Sequence, residues 1–120
     1  MFIHHRPSDQ TEFYTRERCY ITEVLNSDDS PDLSIARCRV ETGVVTELHS
    51  LTGITETYQI EAGQGVMDDG INPSVTVGVG DCVTIPAGHP QRIKNIGPND
   101  LRFTVICRPR FTPACYVPLD

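Results

Sequence analysis

The 120-residue chain has no tryptophan, only two methionines, and no apolar run long enough to cross a membrane. A transmembrane helix needs about 20 consecutive apolar residues, so a membrane span is excluded. The opening sequence Met-Phe-Ile-His-His-Arg-Pro also lacks the apolar core of a secretory signal. We therefore expect a cytoplasmic protein that does not associate with membranes.

Basic residues are few and scattered. The chain has 10 Lys and Arg against 16 Asp and Glu, which gives a formal net charge of −6. The densest basic pairs are Arg37 with Arg39 and Arg108 with Arg110. Proteins that bind nucleic acids usually present a continuous basic patch or stripe. The charge pattern therefore argues against a nucleic-acid partner.

The five cysteines include no Cys-x-x-Cys pair. This absence excludes the zinc-ribbon and thioredoxin-like arrangements, which depend on that spacing. In a cytoplasmic protein the simplest expectation is reduced cysteines, most of them buried.

The sequence has no convincing helical periodicity, and alternating or β-branched runs dominate instead. Turn-forming sequences separate these runs, among them Asp69-Gly70 and Gly97-Pro98-Asn99-Asp100. The pattern predicts an all-β sandwich or barrel. The predicted strands are Cys19–Leu25, Leu33–Val40, Val44–His49, Thr55–Ile60, Gly65–Asp68, Val75–Val79, Cys82–Ile85, Gln91–Asn95 and Leu101–Cys107.

The length fits one domain, residues 1–120, with three parts. We expect an N-terminal strand arm at about 1–25, a barrel core at about 33–107, and a proline-rich arm at 109–120. Proline cannot donate a ladder hydrogen bond, so the last part is not a central strand. The aromatic side chains of Phe111 and Tyr116 are expected to dock on the barrel or on a partner subunit.

Two glycine-bounded segments, 43–63 and 80–95, resemble the two motifs of the cupin superfamily. The first motif is Gly, five residues, His-x-His, three or four residues, Glu, six residues, Gly. The second is Gly, five residues, Pro-x-Gly, two residues, His, three residues, Asn. The matching residues are Gly43, His49, Glu56, Gly63, Gly80, Pro86, Gly88 and Asn95. The chain departs from the motifs at two histidine positions, which are occupied by Leu51 and Gln91.

The resemblance implies a small single-domain cupin β-barrel, also called a double-stranded β-helix or jelly roll, that forms a homodimer. It also implies one divalent transition metal (Ni, Zn, Fe or Mn) held by His49, Glu56 and Gln91. Because Leu51 offers no donor atom, this metal site is expected to be weakened, and a metal-free pocket is the alternative. His89 is a candidate replacement ligand.

Period-2 alternation along the strand places Glu56 and Tyr58 on one face, which would be the inner face of the barrel. We expect a small-molecule enzyme of the isomerase, epimerase or lyase type, acting on a sugar or an organic acid. Glu56 would be the base, and Tyr58 or His49 the acid. The alternative is a non-catalytic ligand-binding or sensory module in which His49 bonds to Glu56.

Overall fold

A computed structural model describes residues 1–6 and 10–120, so residues 7–9 of the predicted N-terminal arm lie outside the described residues. Apart from a short 3-10 turn at Pro113–Cys115, the regular elements of these described ranges are β-strands. The predicted all-β class is therefore confirmed. The strands are β1 (Phe13–Tyr14), β2 (Tyr20–Leu25), β3 (Ser34–Val40), β4 (His49–Leu51), β5 (Thr55–Ala62), β6 (Gln64–Asp68), β7 (Val75–Gly78), β8 (Cys82–Ile85), β9 (Arg92–Asn95), β10 (Leu101–Arg108) and β11 (Tyr116–Pro118).

The strands form one large and two small antiparallel sheets. The large sheet has the order β1-β2-β3-β10-β5-β8, a second sheet has the order β7-β6-β9, and the third pairs β11 with β4. Isolated bridges from Val45 to Lys94 and from His49 to Gln91 connect the segment around β4 with β9. The ladders among the described strands do not close into a continuous barrel, and the layers face each other across a shared core.

The core follows from strict alternation in the central strands. Along β10, inward residues such as Leu101 and Phe103 are buried, whereas the intervening Arg102 is exposed. Ile60 of β5 and Val40 of β3 are also almost fully buried. Each fully buried side chain of this size stabilises the fold by about 1.5–3 kcal/mol relative to an exposed one. Four of the five free cysteines are buried as expected, and Cys82 is exposed.

The predicted strand Val44–His49 is only partly present. Val45 makes an isolated bridge, and the regular strand β4 begins at His49. The backbone N–H groups of Thr46, Glu47 and Leu48 donate to three different neighbours: the carbonyls of Ile93 and Glu17 and the carboxylate of Asp120. Because these partners belong to separate parts of the chain, the segment cannot form one ladder.

The proline-rich C-terminal arm lies against its own subunit. Its residues Tyr116–Pro118 form β11, which pairs with β4 in the register Tyr116–Leu51 and Pro118–His49. This pairing covers the edge of β4 and places the Tyr116 ring beside His49. The large sheet ends in the edge strands β1 and β8, and an edge strand is able to pair with another chain. The homodimer expected from the cupin resemblance remains a prediction. No helix in residues 1–6 and 10–120 is long and apolar enough to cross a membrane.

Candidate active site

The sequence-predicted site residues come from separate segments of different sheets whose side chains are buried. His49 opens β4, while Glu56 and Tyr58 lie two residues apart on β5. Gln91 directly precedes β9 and pairs with His49 through two backbone hydrogen bonds, of 3.1 and 2.8 Å. All four side chains are buried, which confirms that Glu56 and Tyr58 share the inner face of β5.

His49 is fixed by contacts on its Nδ1 side and on one ring face. Nδ1 lies 2.7 Å from the backbone carbonyl of Glu47 and 3.5 Å from Oε2 of Glu17. A carbonyl can only accept, so this contact places the proton on Nδ1 and leaves Nε2 as an acceptor in the neutral ring. The Tyr116 ring stacks on the imidazole, with centroids 4.8 Å apart and planes inclined by 16°. The ring is therefore held in a single orientation.

Glu56 is a buried carboxyl group with one oxygen unpaired. Oε2 accepts a hydrogen bond from the Cys107 thiol at 3.6 Å, because Cys107 lies directly opposite Glu56 in the β10–β5 ladder. Oε1 has no hydrogen-bond partner within the described residues. Burial raises the pKa of Glu56 to about 7, although the nearby His49 acts to lower it and the Glu17 carboxyl acts to raise it further. The proton affinity of Glu56 therefore suits proton transfer near neutral pH.

The Tyr58 side chain contacts Gln91 through its hydroxyl and Phe103 through its ring. Its hydroxyl donates a 2.6 Å hydrogen bond to Oε1 of Gln91, and its ring stacks on Phe103 at 4.9 Å between centroids. Burial raises the pKa of Tyr58 well above its usual value, and the Glu56 carboxyl acts in the same direction. The hydroxyl is thus a poor source of protons at neutral pH. The Gln91 amide in turn lowers the pKa of Glu56.

His49, Glu56 and Tyr58 border a cavity of about 380 Å³ between the large sheet and the C-terminal arm, whereas Gln91 is not part of its lining. That volume is at the lower end of the range of about 300–1,000 Å³ for small-molecule sites. The walls are mainly aromatic, aliphatic or sulfur-bearing, and include Phe13, Phe103, Phe111, Val105 and Cys38. The polar lining is concentrated around His49, Glu56 and Glu17.

Sequence reasoning missed Glu17. It lies outside the motif segments, in the turn between β1 and β2, and has no local pattern that signals a functional role. Arg18 in this turn has a φ of +68°. Its guanidinium donates a 2.8 Å hydrogen bond to the Val45 carbonyl, which ties the turn to the segment before β4. Burial raises the pKa of Glu17, an effect that His49 opposes and Glu47 reinforces. Glu17 is thus a second carboxyl group beside His49.

His89, the candidate replacement ligand, lies elsewhere. Its Nε2 is 2.9 Å from Oδ2 of Asp69 in an exposed loop, and its side chain is 45% exposed. It does not border the cavity that His49 and Glu56 share.

The donor atoms in the cavity do not match a typical transition-metal site, which uses three or more strong ligands. His49 and Glu56 are present, but Leu51 is apolar and buried at the position of the missing histidine. The amide oxygen of Gln91 already accepts the Tyr58 hydroxyl. Residues 1–6 and 10–120 contain no group of three or more His, Cys, Asp and Glu side chains arranged to hold a metal ion.

Comparison with known proteins identifies the family. The Cupin domain family model matches residues 36–107, well over half of the chain, so the chain belongs to the cupin family. The matched region contains both motif segments and extends from β3 to β10. No curated protein matches the chain.

Solved structures agree on the fold. A predicted oxalate decarboxylase from Thermotoga maritima is 24% identical with a TM-score of 0.74, and the match covers 88% of this chain and 98% of that one. The polyketide cyclase RemF from Streptomyces resistomycificus is 17% identical with a TM-score of 0.77, covering 100% and 87%. The nucleoside dehydratase Pac13 is 18% identical with a TM-score of 0.79, covering 99% and 92%. At these identities the likeness concerns the cupin fold, which supports many different chemistries.

Proposed function

We propose that this cupin is a small-molecule enzyme of the lyase or isomerase type, with Glu56 as its general base and acid. The single observation that carries the proposal is the unpaired Oε1 of Glu56, a buried residue that lines a mostly apolar cavity. A buried polar atom without a partner is costly, and such atoms are retained where they have a role. Here that role is to take a proton from a bound substrate and to return it.

The environment of Glu56 supports this role. A carboxyl group with a pKa of about 7 is present in both protonation states near neutral pH, so it accepts and donates protons with similar ease. The Cys107 thiol donates to Oε2, and Oε1 is the carboxyl oxygen without a partner among the described residues. The apolar walls exclude water, which strengthens the electrostatic interactions of a bound substrate.

His49 supplies the second proton-transfer group. With its Nδ1 proton directed at the Glu47 carbonyl, Nε2 is the nitrogen free to bond or to accept a proton. Glu56 and His49 make no direct hydrogen bond in the described chain, so each keeps a free functional atom. That arrangement supports catalysis over the non-catalytic module, for which a bond between the two was expected.

Tyr58 takes a different role in this proposal from the proton donor expected from the sequence. Its hydroxyl already donates to Gln91, and its pKa is too high for it to release a proton. We assign Tyr58 to positioning the Gln91 amide, which adjusts the pKa of Glu56. The mechanism uses no metal step because no three strong ligands among the described residues are arranged to hold a metal ion, and the metal expected of His49, Glu56 and Gln91 remains a prediction.

Reactions that need only a positioned base and acid fit this site. Removal of a proton next to a carbonyl group, followed by loss of a leaving group or return of the proton elsewhere, gives dehydration, cyclisation or isomerisation. A cyclase and a dehydratase are among the proteins that share this fold. The support for such chemistry here comes from Glu56 and His49 in this cavity.

The test uses a substrate that needs only a base. Nitrobenzisoxazole is flat and largely apolar, and loss of its one acidic C–H proton breaks the N–O bond and yields a coloured phenolate. We expect the wild-type protein to catalyse this elimination with kcat/KM rising through pH 7. Glu56→Gln should lower kcat/KM by roughly 100-fold, the scale of a general base.

The matched control is Glu61→Gln, on the exposed face of the same strand. It should leave the rate within twofold of wild type. Equal rates for wild type and Glu56→Gln, or equal losses in both variants, would refute the assignment of Glu56 as the base. Circular dichroism confirms that both variants fold.

A further inference from the structure

The charge distribution around the cavity is one-sided. Three carboxyl groups border it, those of Glu17, Glu23 and Glu56, against a single basic side chain, Arg16. Arg16 is already paired with Glu47 at 3.3 Å. Carboxyl groups therefore outnumber basic side chains in the lining.

Two guanidinium groups outside the lining, Arg18 near Glu17 and Arg110 near Glu23, have their own hydrogen-bond partners. Arg18 donates to the Val45 carbonyl, and Arg110 bonds to Asn26 and to Asp28 at 2.8 and 2.9 Å. Neither residue borders the cavity. His49 is the remaining nitrogen base near Glu17, and its Nδ1 proton is directed at the closer Glu47 carbonyl.

Aromatic rings dominate the rest of the wall. Tyr58 and Phe103 stack on each other on one side, Tyr116 stacks on His49, and Phe13 and Phe111 complete the lining. Aromatic faces attract cations, and the attraction is stronger where water is excluded. The unpaired Glu56 oxygen, on a side chain only 7% exposed, is an independent sign that a ligand completes this site.

We infer that the substrate is an amine: a small molecule with a flat apolar body and a protonated nitrogen. The ammonium group lies against Glu17, the more accessible of the two inner carboxyl groups, whose side chain is 16% exposed. The apolar body packs against the aromatic walls, with its reacting atom at Glu56. An anionic ligand would face three carboxyl groups, and the one guanidinium of the lining, Arg16, is paired with Glu47. This inference rests on the proposed function for the place of the reaction and adds the class of substrate.

Three matched ligands test the charge preference at pH 7: tryptamine, tryptophol and indolepropionate, which carry an ammonium, a hydroxyl and a carboxylate on the same indole body. The chain has no tryptophan, so the indole fluorescence of each ligand reports binding directly. We expect tryptamine to bind at least tenfold more tightly than tryptophol, and indolepropionate to bind most weakly. Indolepropionate binding as tightly as tryptamine, or no saturable binding of any of the three, would overturn the inference.

Two variants separate this inference from the proposed function. Glu17→Gln should remove the preference for tryptamine over tryptophol. Because the Glu17 carboxyl raises the pKa of Glu56, the same variant should shift the pH profile of nitrobenzisoxazole elimination to lower pH. Glu56→Gln should lower the elimination rate by roughly 100-fold and retain the amine preference. If the elimination depends on Glu56 but the wild type shows no preference for tryptamine, the inference alone is contradicted. If the wild type prefers tryptamine but Glu56→Gln still catalyses the elimination at the wild-type rate, the proposed function alone is contradicted. Glu61→Gln is the control for both measurements.

Discussion

The Tyr58 hydroxyl donates a 2.6 Å hydrogen bond to Oε1 of Gln91, and both residues are almost completely buried. This bond determines which end of the Gln91 amide faces Tyr58, and it engages the oxygen that the cupin resemblance assigned to a metal. Gln91, at a position where the motif has a histidine, thus makes a polar contact in the core. The Gln91 amide also lowers the pKa of Glu56, which lies two residues from Tyr58 on β5.

Tyr58→Phe should destabilise the protein. The substitution keeps the ring that stacks on Phe103 but leaves the buried oxygen of Gln91 without its donor. An unsatisfied buried acceptor costs about 1–3 kcal/mol, and urea unfolding should show a loss of that size in the free energy of unfolding. Tyr14→Phe is the control, because Tyr14 is 56% exposed and such changes usually stay within about 0.5 kcal/mol. Equal effects of the two substitutions would contradict the prediction.

Stability should fall as pH rises through neutrality. Folding raises the pKa of Glu56 from its usual 4.5 to about 7, so the folded protein holds a proton that the unfolded chain releases. The contribution is complete below pH 4.5 and is lost as pH rises through about 7. The difference of about 2.5 pKa units corresponds to about 3 kcal/mol.

Urea unfolding between pH 4.5 and pH 8.5 measures this dependence. Glu56→Gln should flatten the curve, leaving a smaller slope of the same sign from Glu17, whose pKa is also raised by burial. Glu61→Gln should leave the wild-type slope unchanged. A wild-type protein that is more stable at pH 8 than at pH 5 would show that Glu56 is not buried as a neutral carboxyl group.

Leu51→His should create a stronger metal site. Leu51 borders the cavity, and it lies two residues after His49 on β4, so both side chains face the same side of the strand. A second imidazole beside His49 and Glu56 would bring the strong ligands to three. Calorimetric titration should show Zn²⁺ or Ni²⁺ affinity higher by at least roughly 100-fold, more than the effect of losing an outer-shell partner. Leu119→His, at a half-exposed position, should not change the affinity. An unchanged affinity in Leu51→His would contradict the placement of position 51.

Two motif glycines should differ in their tolerance of a methyl group. Gly43 and Gly63 both have a positive φ, of +76° and +87°. A Cβ at Gly43 would meet nothing within 4 Å, whereas at Gly63 it would lie 3.2 Å from the backbone of Asp100 and of Leu101. Gly43→Ala should therefore cost only the strain of the left-handed backbone, about 1–2 kcal/mol. Gly63→Ala should cost a further 1 kcal/mol or more, roughly, from crowding. Chemical denaturation compares the two, and equal losses would contradict the crowding at Gly63.

The sequence by itself determined the strand content and the inner faces. Alternation along 55–60 identified Glu56 and Tyr58 as inward residues because side chains on a strand change face at every step. The resemblance of the motif spacing to the cupin motifs implied that His49 and Gln91 lie close together, and the two residues pair through backbone hydrogen bonds. Local alternation was sufficient for the inner faces, and the family resemblance was needed for this pairing.

Only the tertiary structure decided which groups complete the site. Glu17, from a turn outside the motifs, lies beside His49 through long-range backbone pairing with the segment before β4. Tyr116 stacks on the same ring because the C-terminal arm pairs with β4. The predicted strand Val44–His49 also depends on distant partners, since its N–H groups bond to three separate segments. Contacts between residues far apart in sequence leave no local pattern, so they form only when the sheets pack against each other. The same packing buries Glu56 and thereby raises its pKa.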